Sequence, residues 1–191
     1  MHPRKINYGR NANGLVEFQT KGFVESVMSA PRDYSGMQVI LHWTIAALIV
    51  MQLTVNADMQ QAFAQRLMIG SLPDNFGAWF HAAIGIAVLV LAILRLTIRT
   101  VRGVPEPDRG VHPWLQFLGH ATHMLLYGFL FIMPISGALA WFLGLESAAV
   151  IHELGRLILI PAIFLHIGGA LFEELALRNP VLKRMLQPGR D

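Results

Sequence analysis

The sequence predicts an all-α membrane protein, a bundle of four transmembrane helices running up-down-up-down with both termini cytoplasmic. Three observations carry that prediction. The 191 residues are 54% hydrophobic and only 14% charged, against about 25% charged in ordinary soluble domains. Stretches without Asp, Glu, Lys or Arg cover 34–57, 75–94, 110–145 and 157–172, near or above the roughly 17–25 residues that a spanning helix needs. The basic residues also alternate by loop. Arg4, Lys5, Arg10, Lys21 and Arg32 precede the first span, and Arg95, Arg99, Arg102 and Arg109 lie between the second and third. Arg178, Lys183, Arg184 and Arg190 follow the fourth, while the two remaining loops hold only Arg66. Cytoplasmic loops collect Lys and Arg, so the pI near 9.7 is a topology signal and not a nucleic-acid footprint.

Taken in order, residues 1–36 read as a polar cytoplasmic tail and 37–191 as one membrane domain. MHPRKINYGRNANG has no apolar signal-peptide core. We read Met28 as the physiological start, because MSAPRDYSG runs straight into the first span; native protein sequenced from Met1 would refute this. The first span is predicted over 37–56, and DMQQAFAQRLMIGSLPDN is an outer loop. The second span covers 77–99, and the Pro- and Gly-rich RGVPEPDRGVHPW is an inner connector. The third span covers 115–142, with Pro134 and Gly137 predicted to kink it. A short outer turn, LGLES, leads to the fourth span over 148–176, which takes Glu153 and Arg156 into its outer turns. Trp43, Trp79, Trp114 and Trp141 fall near span ends, as aromatic-belt anchors do.

Cysteine is absent, which excludes disulfides, iron–sulfur clusters, thiolate zinc sites and covalently attached c-type haem. The chemistry falls to histidine. His152 and His166 stand fourteen residues apart, four helical turns to within about 40°, so both project from one helix face roughly 21 Å apart. His42 lies nine residues after Asp33 and His166 seven before Glu173, both toward the inner side; His81 lies seven after Asp74 and His152 six after Glu146, both toward the outer side. Antiparallel neighbours can bring His42 opposite His166 and His81 opposite His152. Neutral imidazole is a common metal ligand, and facing helices build such sites in bundle cores. Two bis-imidazole sites, one per leaflet, read as two non-covalent b-type haems. A haem-free histidine-lined proton path, interhelical hydrogen bonding by histidine, and a zinc enzyme are the competing readings; two histidines per site fall short of the three or four protein ligands usual for zinc.

Other residues fit around these pairs. Arg95, fourteen residues after His81, shares its face near the inner site, where a guanidinium suits a haem propionate or a quinone oxygen; an interfacial snorkelling arginine is the plainer reading. Arg156 lies one turn inside His152, where propionate binding competes with a salt bridge to Glu153. Gly85, one turn from His81, leaves room for a flat macrocycle, as do Gly155, Gly168 and Gly169, although close helix packing accounts for glycine equally well. His120 and His123, at i and i+3, read as supporting groups near the inner interface rather than ligands. His112, beside Pro113, reads as a loop residue.

At these residues the chain resembles the bacterial cytochrome b561 family of four-helix dihaem proteins, over about 34–188. The matching segments are LHWTIAAL with His42, FHAAIGIAVLVLAILRLTIR with His81, Gly85 and Arg95, GHATHMLLYGFLFIMPISG with His120 and His123, and HELG through LHIGGAL with His152 and His166. The resemblance implies a bacterial inner-membrane electron carrier with two haems b that exchanges electrons with ubiquinone. By position, His42 and His166 would ligate the inner haem, His81 and His152 the outer. It also implies a donor on the periplasmic side: superoxide, as in a superoxide:ubiquinone oxidoreductase, or a partner redox protein, as for cytochrome b subunits of dehydrogenases and hydrogenases. Two departures stand out. Glu173 and Glu174 occupy positions where family members often carry a histidine pair; if that pair contacts quinone, either these carboxylates supply the proton chemistry or the site has changed. The outer turn LGLES is short and offers no Lys or Arg, leaving Arg66 and Arg156 to attract an anion.

Overall fold

The computed structural model describes residues 31, 33–54, 57–105, 111–187 and 189; the predicted tail before residue 31, with Met28, lies outside the described residues. Among the described residues there are six helices and no strand. They are α1 (Gly36–Thr54), α2 (Ala57–Ile69), α3 (Phe76–Arg102), α4 (Pro113–Leu143), α5 (Glu146–Leu175) and α6 (Val181–Leu186). The long apolar helices α1, α3, α4 and α5 are the four spans, each within a few residues of its predicted range.

Local chemistry fixes the ends. Ser35 and Gln38 form a reciprocal capping pair ahead of α1, Ser35 N–H donating to Gln38 Oε1 (3.0 Å) and Gln38 N–H to Ser35 Oγ (3.4 Å). Asn75 caps α3 by accepting from the Ala78 N–H at 2.9 Å. His112 is not a bare loop residue: its Nδ1 accepts from the Trp114 N–H, and Pro113 occupies the first turn of α4. Gly144, left-handed at φ 69, stops α4 and returns the chain into α5 within two residues. α4 continues unbroken through Pro134 and Gly137.

Contacts between neighbours set an antiparallel register. Gln38 meets Gly103 and Arg95 of α3, while Gln52, four turns on, donates to the His81 carbonyl. Trp79 meets Trp141 and Phe142 at one end of α3–α4, and Arg99 lies over Tyr127 at the other. Gly137 touches His152, and Gly155 approaches Met133. Packing is close for α4–α5, α3–α4 and α1–α3, whereas α1 and α5 are not closely packed. No more than 28% of the most apolar window of any span is buried. Helices apolar all round and so little covered suit lipid outside and a hollow interior.

One predicted connector is helical, and a further short helix follows the fourth span. The outer segment predicted as a loop forms α2, because Met59, Ala62 and Phe63 make an apolar stripe that packs on Ala78, Ala82 and Trp141. Gly70, at φ 70, ends it. Trp141, predicted as a belt anchor, is instead sealed in this cluster at 1% exposure. The span-end reading failed because α2 folds back over it. Beyond α5, the chain turns through Arg178 (φ 53) into α6. The Trp43 indole donates to the Met185 carbonyl at 2.7 Å, fastening α6 beneath α1.

Candidate functional site

A cavity of about 1280 Å³ runs through the bundle, from Met59, Phe63 and Trp141 at the end covered by α2 to Asn179 and Met185 at the end near α6. It exceeds the roughly 300–1,000 Å³ of a pocket for one small ligand. Its wall is largely aliphatic and aromatic, and it includes all four histidines predicted as ligands, together with Gly85, Arg95, His120, His123 and Arg156.

The histidines meet in the expected pairs. The His42 and His166 rings lie 6.1 Å apart between centroids, and His81 and His152 lie 6.2 Å apart. Helix periodicity explains this: α5 presents His152 and His166 on one face, while α3 and α1 deliver His81 and His42 at matching depths. His152 is held by α4 through one ring nitrogen. Its Nδ1 is 2.9 Å from the Met133 carbonyl and 3.4 Å from Ser136 Oγ. With the proton on Nδ1 and donated to that carbonyl, Nε2 is left as a lone-pair donor, the arrangement typical of ligating histidine. Gly137 makes room for the ring, since a Cβ there would lie 3.0 Å from His152 Cε1.

The supporting residues divide. Arg95 Nη1 donates to the Gln38 carbonyl at 2.9 Å, which anchors the guanidinium on the cavity wall within electrostatic reach of His42 and His166. Arg156 forms the salt bridge with Glu153 at 2.6 Å, yet its Nε is buried without a hydrogen-bond partner among the described residues. His123 packs edge-on against His166, centroids 5.0 Å apart. His120 Nδ1 is bonded to the Gln116 carbonyl of its own helix, at 2.8 Å. A Cβ on Gly85 would reach Gln52 Nε2 at 3.4 Å, and one on Gly169 would meet nothing within 4 Å; both glycines border the cavity. Gly155 serves packing: a Cβ there would lie 2.6 Å from Met133 Sδ.

Sequence reasoning missed one group on the cavity wall. Arg99 borders the cavity beside Arg95 and stacks on Tyr127 at 5.5 Å; only its place in a basic loop was legible. Glu173 and Glu174 hold the α5–α6 elbow. Glu173 Oε2 accepts from Asn179 Nδ2 (2.9 Å) and Glu174 Oε2 from the Leu182 N–H (3.0 Å). Among the described residues, no cluster of three or more His, Asp or Glu side chains is placed to hold a metal ion.

Comparison with known proteins places this geometry in a family. The profile described as prokaryotic cytochrome b561 matches residues 33–188. A cytochrome b562 of Cereibacter sphaeroides is 32% identical over 162 residues, 84% of this chain and 99% of that protein. A probable superoxide oxidase, CybB, of Yersinia pestis is 27% identical over 56% of each chain. Cytochrome b561 homolog 2 of Escherichia coli is 28% identical over 60% of this chain and 58% of its own. With four apolar spans around a histidine-lined cavity and a family match over nearly all of the membrane domain, the chain belongs to the prokaryotic cytochrome b561 family, the haem-bearing membrane cytochromes of electron transport.

Proposed function

We propose that this cytochrome holds two haems b, ligated by His42 with His166 and by His81 with His152, and carries single electrons from a periplasmic donor to ubiquinone in the bacterial inner membrane. The observation that carries the reading is the matched spacing of the two pairs, 6.1 and 6.2 Å. Two imidazoles on opposite sides of one metal, each bonded at about 2 Å, have ring centres about 6 Å apart. The donor set also fits: with no cysteine, neutral imidazole is the ligand b-type haem needs. The buried Arg156 Nε, lacking an acceptor, suits an anionic carboxylate on the macrocycle edge.

When bound, the haems supply one-electron redox chemistry; the chain sets their ligation, surroundings and partners. Met133 and Ser136 fix the His152 ring. Arg95 and Arg99 bring positive charge to the inner end, favouring the reduced, less positive centre and an anionic or carbonyl oxygen nearby. Apolar helices exclude water along the cavity, which preserves the strength of these charges. Each histidine pair would hold one haem, and the chemistry the group would then supply is outer-sphere electron transfer.

The outer face favours a second reading of the donor. Arg66 points at the carbonyls of Trp141 and Phe142, both at 3.4 Å, where the negative end of α4 offsets its charge. Arg156 is paired with Glu153. Neither outer arginine is an uncommitted cation for attracting superoxide, so a docked partner subunit becomes a serious donor.

Purified protein without Soret and α bands that sharpen on dithionite would sink the haem reading. His166→Ala is expected to remove one haem signal and spare the other; loss of both or neither refutes the pairing. Superoxide-driven ubiquinone reduction by the isolated chain supports superoxide as donor, and inactivity in haem-replete protein favours the partner-fed form.

A further inference from the structure

Among the described residues Trp141 is the largest side chain sealed inside the protein, at 1% exposure, and its Nε1 has no hydrogen-bond partner there. An indole N–H only donates, and a buried one usually finds an acceptor. At this exposure neither outside water nor a lipid headgroup reaches it, and the open space beside it is the cavity, which Trp141 borders. A lone water is a poor acceptor here. Water in such a space needs roughly two to four polar partners, whereas Trp141 belongs to an apolar cluster with Ala62 and Ala78, against which Met59, Phe63, Leu72 and Ala82 pack.

Position narrows the acceptor. Trp141 follows Gly137 by four residues, so the two share a face of α4, about 6 Å apart along the helix. Gly137 is the residue on which the His152 ring rests. The indole therefore stands one turn outward of the outer histidine pair, within reach of the edge of a macrocycle centred there. Its plane is braced by Trp79, edge-on at 6.1 Å.

Resting on the two-haem reading above, we propose that Trp141 Nε1–H donates to a carboxylate on the edge of the macrocycle held by His81 and His152. The ionised carboxylate accepts from a neutral donor in a charge-assisted bond. This bond draws down the negative charge beside the metal and raises the potential of the outer haem.

The test starts from His42→Ala, which keeps the outer site alone, and adds Trp141→Phe. Haem is expected to remain, with its oxidised-to-reduced equilibrium shifted about tenfold toward the oxidised form, a drop of about 59 mV for one electron. Because phenylalanine also shrinks the packing, benzothienylalanine at position 141, which keeps the indole's shape and replaces its N–H by sulfur, is expected to give the same drop. An unchanged potential in that haem-replete variant overturns the proposal. Absence of haem from the folded His42→Ala parent overturns the two-haem reading instead.

Discussion

His152 shows how a ligand is prepared by what surrounds it. Its Nδ1 faces the Met133 carbonyl at 2.9 Å, and Gly137 supplies the space against which the ring lies. Gly137→Ala would place a Cβ 3.0 Å from Cε1 and 3.1 Å from Nδ1, so either the ring or α4 must shift. The expected outcome is a folded chain with less haem at the outer site and a full inner site, read by pyridine haemochrome per chain and by the reduced spectrum. Full occupancy with an unaltered spectrum would count against His152 as a ligand. The histidine depths were legible because a helix converts residue number into height. The partner on Nδ1 was not, since Met133 lies nineteen residues away on another helix. The partners of the acidic pair were hidden for a related reason: the turn through Arg178 brings Asn179 and Leu182 back to the Glu173 and Glu174 carboxylates.

Among the elements, α2 is the one read as a loop in the sequence. Its sequence, ADMQQAFAQRLMI, is polar enough to pass for a loop, and its stripe has meaning only against Ala78 and Trp141. Once folded, α2 aims Arg66 at the last carbonyls of α4. A cation at a helix C-terminus contributes about 0.3–1 kcal/mol, so Arg66→Ala is expected to lower the thermal midpoint in detergent modestly while leaving haem content intact. A large loss of haem would mean that α2 shapes the site itself. The capping pair ahead of α1, by contrast, was available to sequence reading: Ser35 and Gln38 stand at the three-residue spacing of a capping box.

For the molecule as a whole, the distribution of Lys and Arg predicts that residue 191 and the chain before α1 lie on the same, cytoplasmic side. A C-terminal fusion to a reporter that fluoresces only in the cytoplasm is expected to be bright, and one to a phosphatase active only in the periplasm silent. The reverse result would invert the assignment of inner and outer sites. The hollow interior has an energetic consequence as well. Four helices with few buried residues gain little from packing on one another, so ligands that fill the cavity are expected to raise the thermal midpoint as they load, by mass action on the folded state. Equal midpoints for haem-free and haem-replete protein would argue that the cavity is not where haem binds.

The class, the four spans, their alternation and the depth of each histidine are legible in residue order, because lipid demands long apolar helices and a helix fixes rise and rotation per residue. Packing settles the rest: which side chains close on those histidines, that the segment after α1 is a helix over Trp141, and that Arg66, Glu173 and Glu174 have partners within the chain. Those outcomes depend on contacts between residues far apart in sequence, and no local period encodes them.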